Sequence, residues 1–242
     1  MITLIGTGHV FDLSAALIDS FDKMRPDLIC VELDRQRYQA LLLRQSHPEQ
    51  YRQARKNVPF VYRVLAQFQE NMAQQYGVEV GSEMIAAIEY ATSHQLPVEF
   101  IDVNAQQLFT KMWKSMPVSE KFRLLFSGIG SLFISKKKVE QELQNFQKDF
   151  DRYIEEIGNK FPTIKKVLID DRNEYMAKKI EHFSSQFERI VVCLGDGHIP
   201  GIHKILKSRD FDISIIRLKD LRNMKRDGDV NSGHFSIEYK QE

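Results

Sequence analysis

Five short apolar runs constrain this chain more than any other feature: ITLI at 2–5, LICVE at 28–32, PVEFI at 97–101, RIVVCL at 189–194 and ISIIRL at 213–218. Short apolar segments bounded by polar turns predict strands covered on both faces, the pattern of a parallel sheet. Helical spacing fills the intervals. Leu13, Ala16, Leu17, Phe21 and Met24 share one helical face after the first run, and Ile85, Ile88 and Ala91 share another before the third. Strands alternating with helices predict an α/β fold, a mostly parallel central sheet flanked by helices.

From Asn104 to about Gln186 there is no strand pattern. Phe122, Leu125, Ile129, Leu132, Val139, Leu143, Phe146, Phe150, Ile154 and Ile157 keep up a helical stripe instead, loosened by the glycines of SGIGS at 127–131. The expected organisation is a single domain of 1–242 whose core comes from 1–103 and 161–225. An all-helical lobe of about 104–160 is inserted into it, and 226–242 form a flexible end or an edge strand. The lysines at 136–138 read as a solvated face of the lobe.

Composition narrows the partners. With 43% hydrophobic residues in 242, the chain can bury a full core, and its 34 basic residues nearly cancel its 33 acidic ones. No field favours nucleic acid or an anionic membrane. No apolar run approaches the ~20 residues of a membrane span, and the first residues enter a strand with no basic leader pattern. A cytoplasmic protein is expected. Cys30 and Cys193 both fall inside apolar runs, which suits buried structural thiols and not a disulfide or metal framework.

A parallel sheet delivers the residue after each strand to one edge, where ligands bind. Those positions hold Gly6 and His9, Glu32 and Asp34, Asp102 and Asn104, and Gly195, Asp196 and His198. Two Gly-x-x-His turns therefore meet among carboxylates. Imidazole with carboxylate suits a divalent ion such as Mn, Co or Zn, and it equally suits metal-free acid/base work by a His/Glu pair. Glycine after a strand lets the chain turn sharply beside a ligand. Both histidines are expected on the exposed edge, so that removing either leaves the fold intact. A dinucleotide fingerprint competes through GTGHVF, but Phe11 stands where the third glycine should permit close packing.

Glu83 opens a helix in GSEM, where a carboxylate complements the helix dipole. Arg172 stands in an apolar stripe of Ile164, Leu168, Tyr175, Met176, Ile180 and Phe183. A guanidinium in a core-facing slot needs carboxylates, and Glu32, Glu83 or both are the expected partners.

The stretches GTGHV, RPDLICVELDRQR, GSEMIAAIEYA, DDRNEYMAKKI and VVCLGDGHIPGI, in this order over nearly the whole chain, resemble the TraB (PrgY-like) family. That family is related to the Tiki proteases and more distantly to erythromycin-esterase-like and ChaN-like proteins. The resemblance implies a metal-dependent hydrolase of the peptidase kind, acting on a peptide or small-molecule substrate, with His9 and His198 as signature histidines. It implies Glu32 and Glu83 as signature acids serving as ligands or in catalysis, Arg172 as the signature arginine, and Arg37 and Tyr175 as flanking residues. A homo-oligomer is compatible with it. Where relatives commonly read Asp-Arg, this chain has Asp102 and Val103. Many relatives also carry membrane helices after this region, and this sequence shows none, which weakens a membrane-linked role. The rival reading is a protein that sequesters a peptide or small ligand in the same cleft without turning it over.

Overall fold

The computed structural model describes residues 1–8, 13–47, 49, 81–131, 155–156 and 158–228. Its strands are β1 (Ile2–Thr7), β2 (Leu28–Val31), β3 (Val98–Phe100), β4 (Ile190–Gly195) and β5 (Ile213–Ile216). They form one five-stranded sheet in the order β3-β2-β4-β1-β5, every pair parallel. All five apolar runs are strands, trimmed or extended by a residue or two where pairing ends.

Helices cover both faces. Leu13, with Leu17 and Phe21 of α1 (Ser14–Met24), Met84, Ala87 and Ile88 of α3 (Ser82–Ser93), and Leu221 of α9 (Leu218–Gly228) pack on Ile5, Ile29, Val31 and Cys193. Met176, Ala177 and Ile180 of α7 (Asp171–Ser184) and Ile199, Ile202 and Leu206 of α8 (Ile199–Lys207) cover Leu4, Leu28, Cys30 and Val192 on the other face. The central strands are thus buried on both sides, which is why their sequences read as continuous apolar runs. Burial pushes both cysteine thiols up, so neither is a reactive thiolate.

Strands β1 and β4 are neighbours at the centre of the sheet. The helix after β1 lies on one face and the helix after β4 on the other. Their carboxyl ends therefore flank a topological switch point, where open α/β sheets leave a crevice for ligands.

Between β3 and β4 the described regular elements are helical. They include α4 (Ala105–Ser115), α5 (Val118–Ser131) and α6 (Pro162–Lys165), with a satellite core of Met112, Met116 and Val167. Helix α5 runs on through SGIGS, where the glycines were expected to loosen it. Leu132, Val139, Leu143, Phe146, Phe150, Ile154, Ile157 and the lysines at 136–138 lie outside the described residues. Helix α9 continues past residue 225 to Gly228, and the rest of the tail is also outside them. Among the described residues, no helix is long and apolar enough to cross a membrane.

Helix α6 passes into α7 through a π-helical turn, Lys166–Asp170, closed by the Asp171 N–H donating to Lys166 O. Its wider winding aligns side chains five apart. Lys165 Nζ donates to Asp170 (2.8 Å) and Lys166 Nζ to Asp171 (2.5 Å), pairs that a regular α-helix does not stack. Such turns are rare and often mark functional sites.

Candidate functional site

Arg172, in the first turn of α7, organises the carboxyl edge of the sheet. Its Nε donates to Asp102 Oδ1 (2.9 Å) and its Nη2 to Asp102 Oδ2 (2.8 Å), a bidentate pair, while Nη2 also donates to Glu32 Oε1. Nη1 donates to Leu168 O (3.1 Å), a carbonyl of the π turn. The side chain is only 13% exposed. Burial works against its charge, but the Glu32 and Asp102 carboxylates more than reverse that and hold the guanidinium above its usual range. The sequence expectation that Arg172 pairs with carboxylates holds for Glu32. The second acid is Asp102 in place of Glu83, because the residue following β3 ends up beside the one following β2.

Glu32 links the elements. Its Oε2 accepts from the Gly195 N–H (2.6 Å), and its Oε1 stands 3.4 Å from His198 Nε2. The imidazole closes a short 3-10 turn, Asp196–His198, between β4 and α8. Its Nδ1 lies 2.7 Å from Asn173 Oδ1, and with an amide oxygen as partner Nδ1 is the donor. His198 is only 5% exposed. The expectation of an exposed edge residue is corrected: the turn folds the ring inward beneath α7. Asn173, itself buried, went unnoticed in the sequence, where its signal is a poor helix former directly after Arg172.

The two glycines serve different carboxylates. The backbone N–H of Gly195 serves Glu32, and a Cβ there would stand 3.4 Å from Oε2, an ordinary contact, so the acid's approach does not itself demand glycine. A Cβ on Gly6 would lie 2.1 Å from Asp196 Oδ1. Asp196 in turn accepts from Arg217 Nε (2.9 Å), Arg217 Nη2 (2.8 Å) and the Leu218 N–H (2.8 Å), tying the His198 turn to the entry of α9. The glycine of the first Gly-x-x-His motif thus makes room for an acid of the second. Gly6→Ala is expected to dislodge Asp196 and cost about 1–3 kcal/mol, the usual range for overpacking. Urea unfolding measures this, and an unshifted midpoint would mean that Asp196 yields without loss.

Other expected residues fall at varying distances from this centre. Arg37 Nη1 reaches Asp102 Oδ2 at 3.4 Å from a side chain 36% exposed, so it lies at the rim. Asp102 Oδ1 also accepts from the Val103 N–H (2.8 Å). Glu83 is fully buried in the first turn of α3, close enough to Cys193 to help raise its thiol, and it is not among the partners of Arg172. Tyr175 is 39% exposed, with Lys179 Nζ over its ring at 5.2 Å, and does not join the cluster. Asp34 and Asn104 cap α2 (Arg35–Ser46) and α4 by accepting from backbone N–H groups. Asp171 is pulled below the usual carboxylate range by hydrogen bonds from Lys111 and Lys166, linking α4 of the lobe to the Arg172 helix. His9 lies outside the described residues.

Glu32 and His198 present ligand types suited to a divalent ion. Two ligand atoms of one tetrahedral ion, each at about 2.0–2.2 Å, stand roughly 3.3–3.6 Å apart, and His198 Nε2 and Glu32 Oε1 are 3.4 Å apart. The donor set fits in kind and spacing. Among the described residues, no three His, Cys, Asp or Glu side chains converge as a complete ligand group.

Comparison with known proteins agrees with this architecture. A protein of Methanocaldococcus jannaschii described as uncharacterized is 28% identical over 232 residues, covering 93% of this chain. The chain spans 58% of that relative's length. The TraB/PrgY/gumN family profile matches residues 1–214, from before β1 into β5 and across every element that builds the site, and the chain belongs to that family.

Proposed function

We propose that this chain is a divalent-metal-dependent hydrolase acting on an amide bond, a peptidase in the broad sense, with its centre at His198 and Glu32. One observation supports this most. With Nδ1 engaged by Asn173, a neutral His198 turns its Nε2 lone pair toward a carboxylate oxygen 3.4 Å away. That separation is the one expected of two ligand atoms on a single tetrahedral ion.

His198 Nε2 and Glu32 Oε1 would hold the ion. When bound, such an ion supplies a water acidic enough to ionise near pH 7 and a Lewis acid for a carbonyl. The chain's own residues do the rest. Gly195 N–H and Arg172 hold the Glu32 carboxylate in place from two sides. Arg172 also pairs with Asp102, and the shared cation offsets the repulsion between the two buried acids. Arg37 puts positive charge at the rim, where the carboxylate of a peptide would arrive.

A proton can occupy the same place as a cation, giving an imidazolium–glutamate pair and metal-free acid/base chemistry. Elemental analysis separates the two readings. Protein purified without added metal is expected to contain transition metal near stoichiometry or to bind Mn, Co or Zn on titration. Turnover of a peptide mixture should stop with a chelator and return with the ion. Hydrolysis indifferent to chelation would support the proton reading. Ligand binding without product, equally indifferent to chelation, would mean a sequestering protein.

A further inference from the structure

The amide of Asn173 is enclosed from two directions. Its Oδ1 meets His198 Nδ1 at 2.7 Å. Its Nδ2 faces α8, where a Cβ on residue 201 would stand 2.1 Å from Nδ2 and 3.0 Å from Cγ. Glycine inside a helix is unfavourable by about 0.5–1 kcal/mol relative to alanine, and Gly201 has no left-handed backbone to justify it. The absent side chain is the space that the amide fills. Asparagine is also a poor helix former, since its side chain competes for backbone hydrogen bonds. Two locally unfavourable residues on different helices therefore fit each other, and their shared neighbour is His198.

We infer that Asn173, seated in the notch left by Gly201, is the positioning residue that fixes His198 as the Nδ1–H tautomer with Nε2 directed at Glu32. An amide oxygen only accepts, so the proton of a neutral ring must lie on Nδ1. Free histidine favours the opposite tautomer, and the one present in a protein follows the hydrogen bond made by the other nitrogen. Arg172 and Asn173 are consecutive, so one turn of α7 aims both the carboxylate and the imidazole. This inference rests on the proposed role of His198, but its first readout does not require a metal.

The test uses the full-length, 15N-labelled protein, stripped of metal and held at about pH 8.5, roughly two units above the ordinary imidazole pKa. Two-bond 1H–15N correlations report the tautomer of His198, assigned by the signals missing in His198→Gln. The wild-type ring is expected as Nδ1–H. Asn173→Ala and Gly201→Ala should each move it toward Nε2–H, whereas Asn173→Asp, which keeps the acceptor, should retain Nδ1–H. Zn affinity should fall roughly ten- to a hundredfold in both alanine variants and by less in Asn173→Asp. A wild-type ring already in the Nε2–H form overturns the inference even if a variant fails to fold. So does an unchanged tautomer in both alanine variants. A tautomer that switches as expected in a protein that binds no Zn, Mn or Co would sustain the positioning role and sink the hydrolase reading instead.

Discussion

Arg172→Met is expected to lower the unfolding free energy by about 3–5 kcal/mol, the range for removing one partner of a buried ion pair. Methionine fills the volume, but Glu32 and Asp102 stay buried beside each other with their shared cation gone. Asp102 would keep the Val103 N–H and the 3.4 Å ion pair with the solvent-screened Arg37, which offset only part of its charge. Urea denaturation reads the loss. Adding Asp102→Asn to Arg172→Met should recover part of it, because one orphaned charge disappears. Arg172→Lys should recover less than half, since an ammonium cannot reproduce the bidentate grip on Asp102 together with the bond to Glu32. A single mutant as stable as wild type would show that the cluster holds without its cation.

His198→Ala is expected to abolish uptake of Mn, Co and Zn and, with it, any chelator-sensitive turnover. Isothermal titration of the metal-stripped protein checks the first part. Stability should fall as well, by about 1–3 kcal/mol, because the mutation leaves the Asn173 amide enclosed with one partner fewer. Metal affinity close to wild type in a folded His198→Ala would place the ion elsewhere or nowhere.

Much of this was legible in the sequence because burial on both faces leaves a strand no polar positions to blur the pattern. LICV and IVVCL read as strands for that reason. The edge strand β3, a three-residue stretch of half-buried side chains, had to be read from its place in the alternation as much as from its composition. Which acid would meet Arg172 was less legible. Glu83 opens α3 and Asp102 follows β3, and only pairing register and helix placement decide which one faces the guanidinium. Tyr175 misled for a local reason. The stripe from Ile164 through Leu168 to Tyr175 assumes one helical period, whereas the π turn resets the phase and the buried seam continues through Asn173, Met176, Ala177 and Ile180. Glycine's purpose at residue 6 was invisible too. It depends on a carboxylate almost the whole chain away.

The same π turn makes the count of residues in this helix matter as much as their identity. Within the turn, Val167 belongs to the lobe's core; downstream, Met176, Ala177 and Ile180 belong to the sheet's. The wide turn lies where the helix passes from one packing to the other, and it holds one residue more than a regular turn would. Losing one residue from the wide turn would return it to a regular α-turn with its flanks in phase, whereas losing one from a regular turn beside it would swing everything beyond by about 100°, although no side chain of the site had been altered. Either the lobe would let go of Val167 or Arg172 and Asn173 would leave the sheet's edge. A gap in this helix is therefore a change of aim, while a gap in a surface loop is only a change of length.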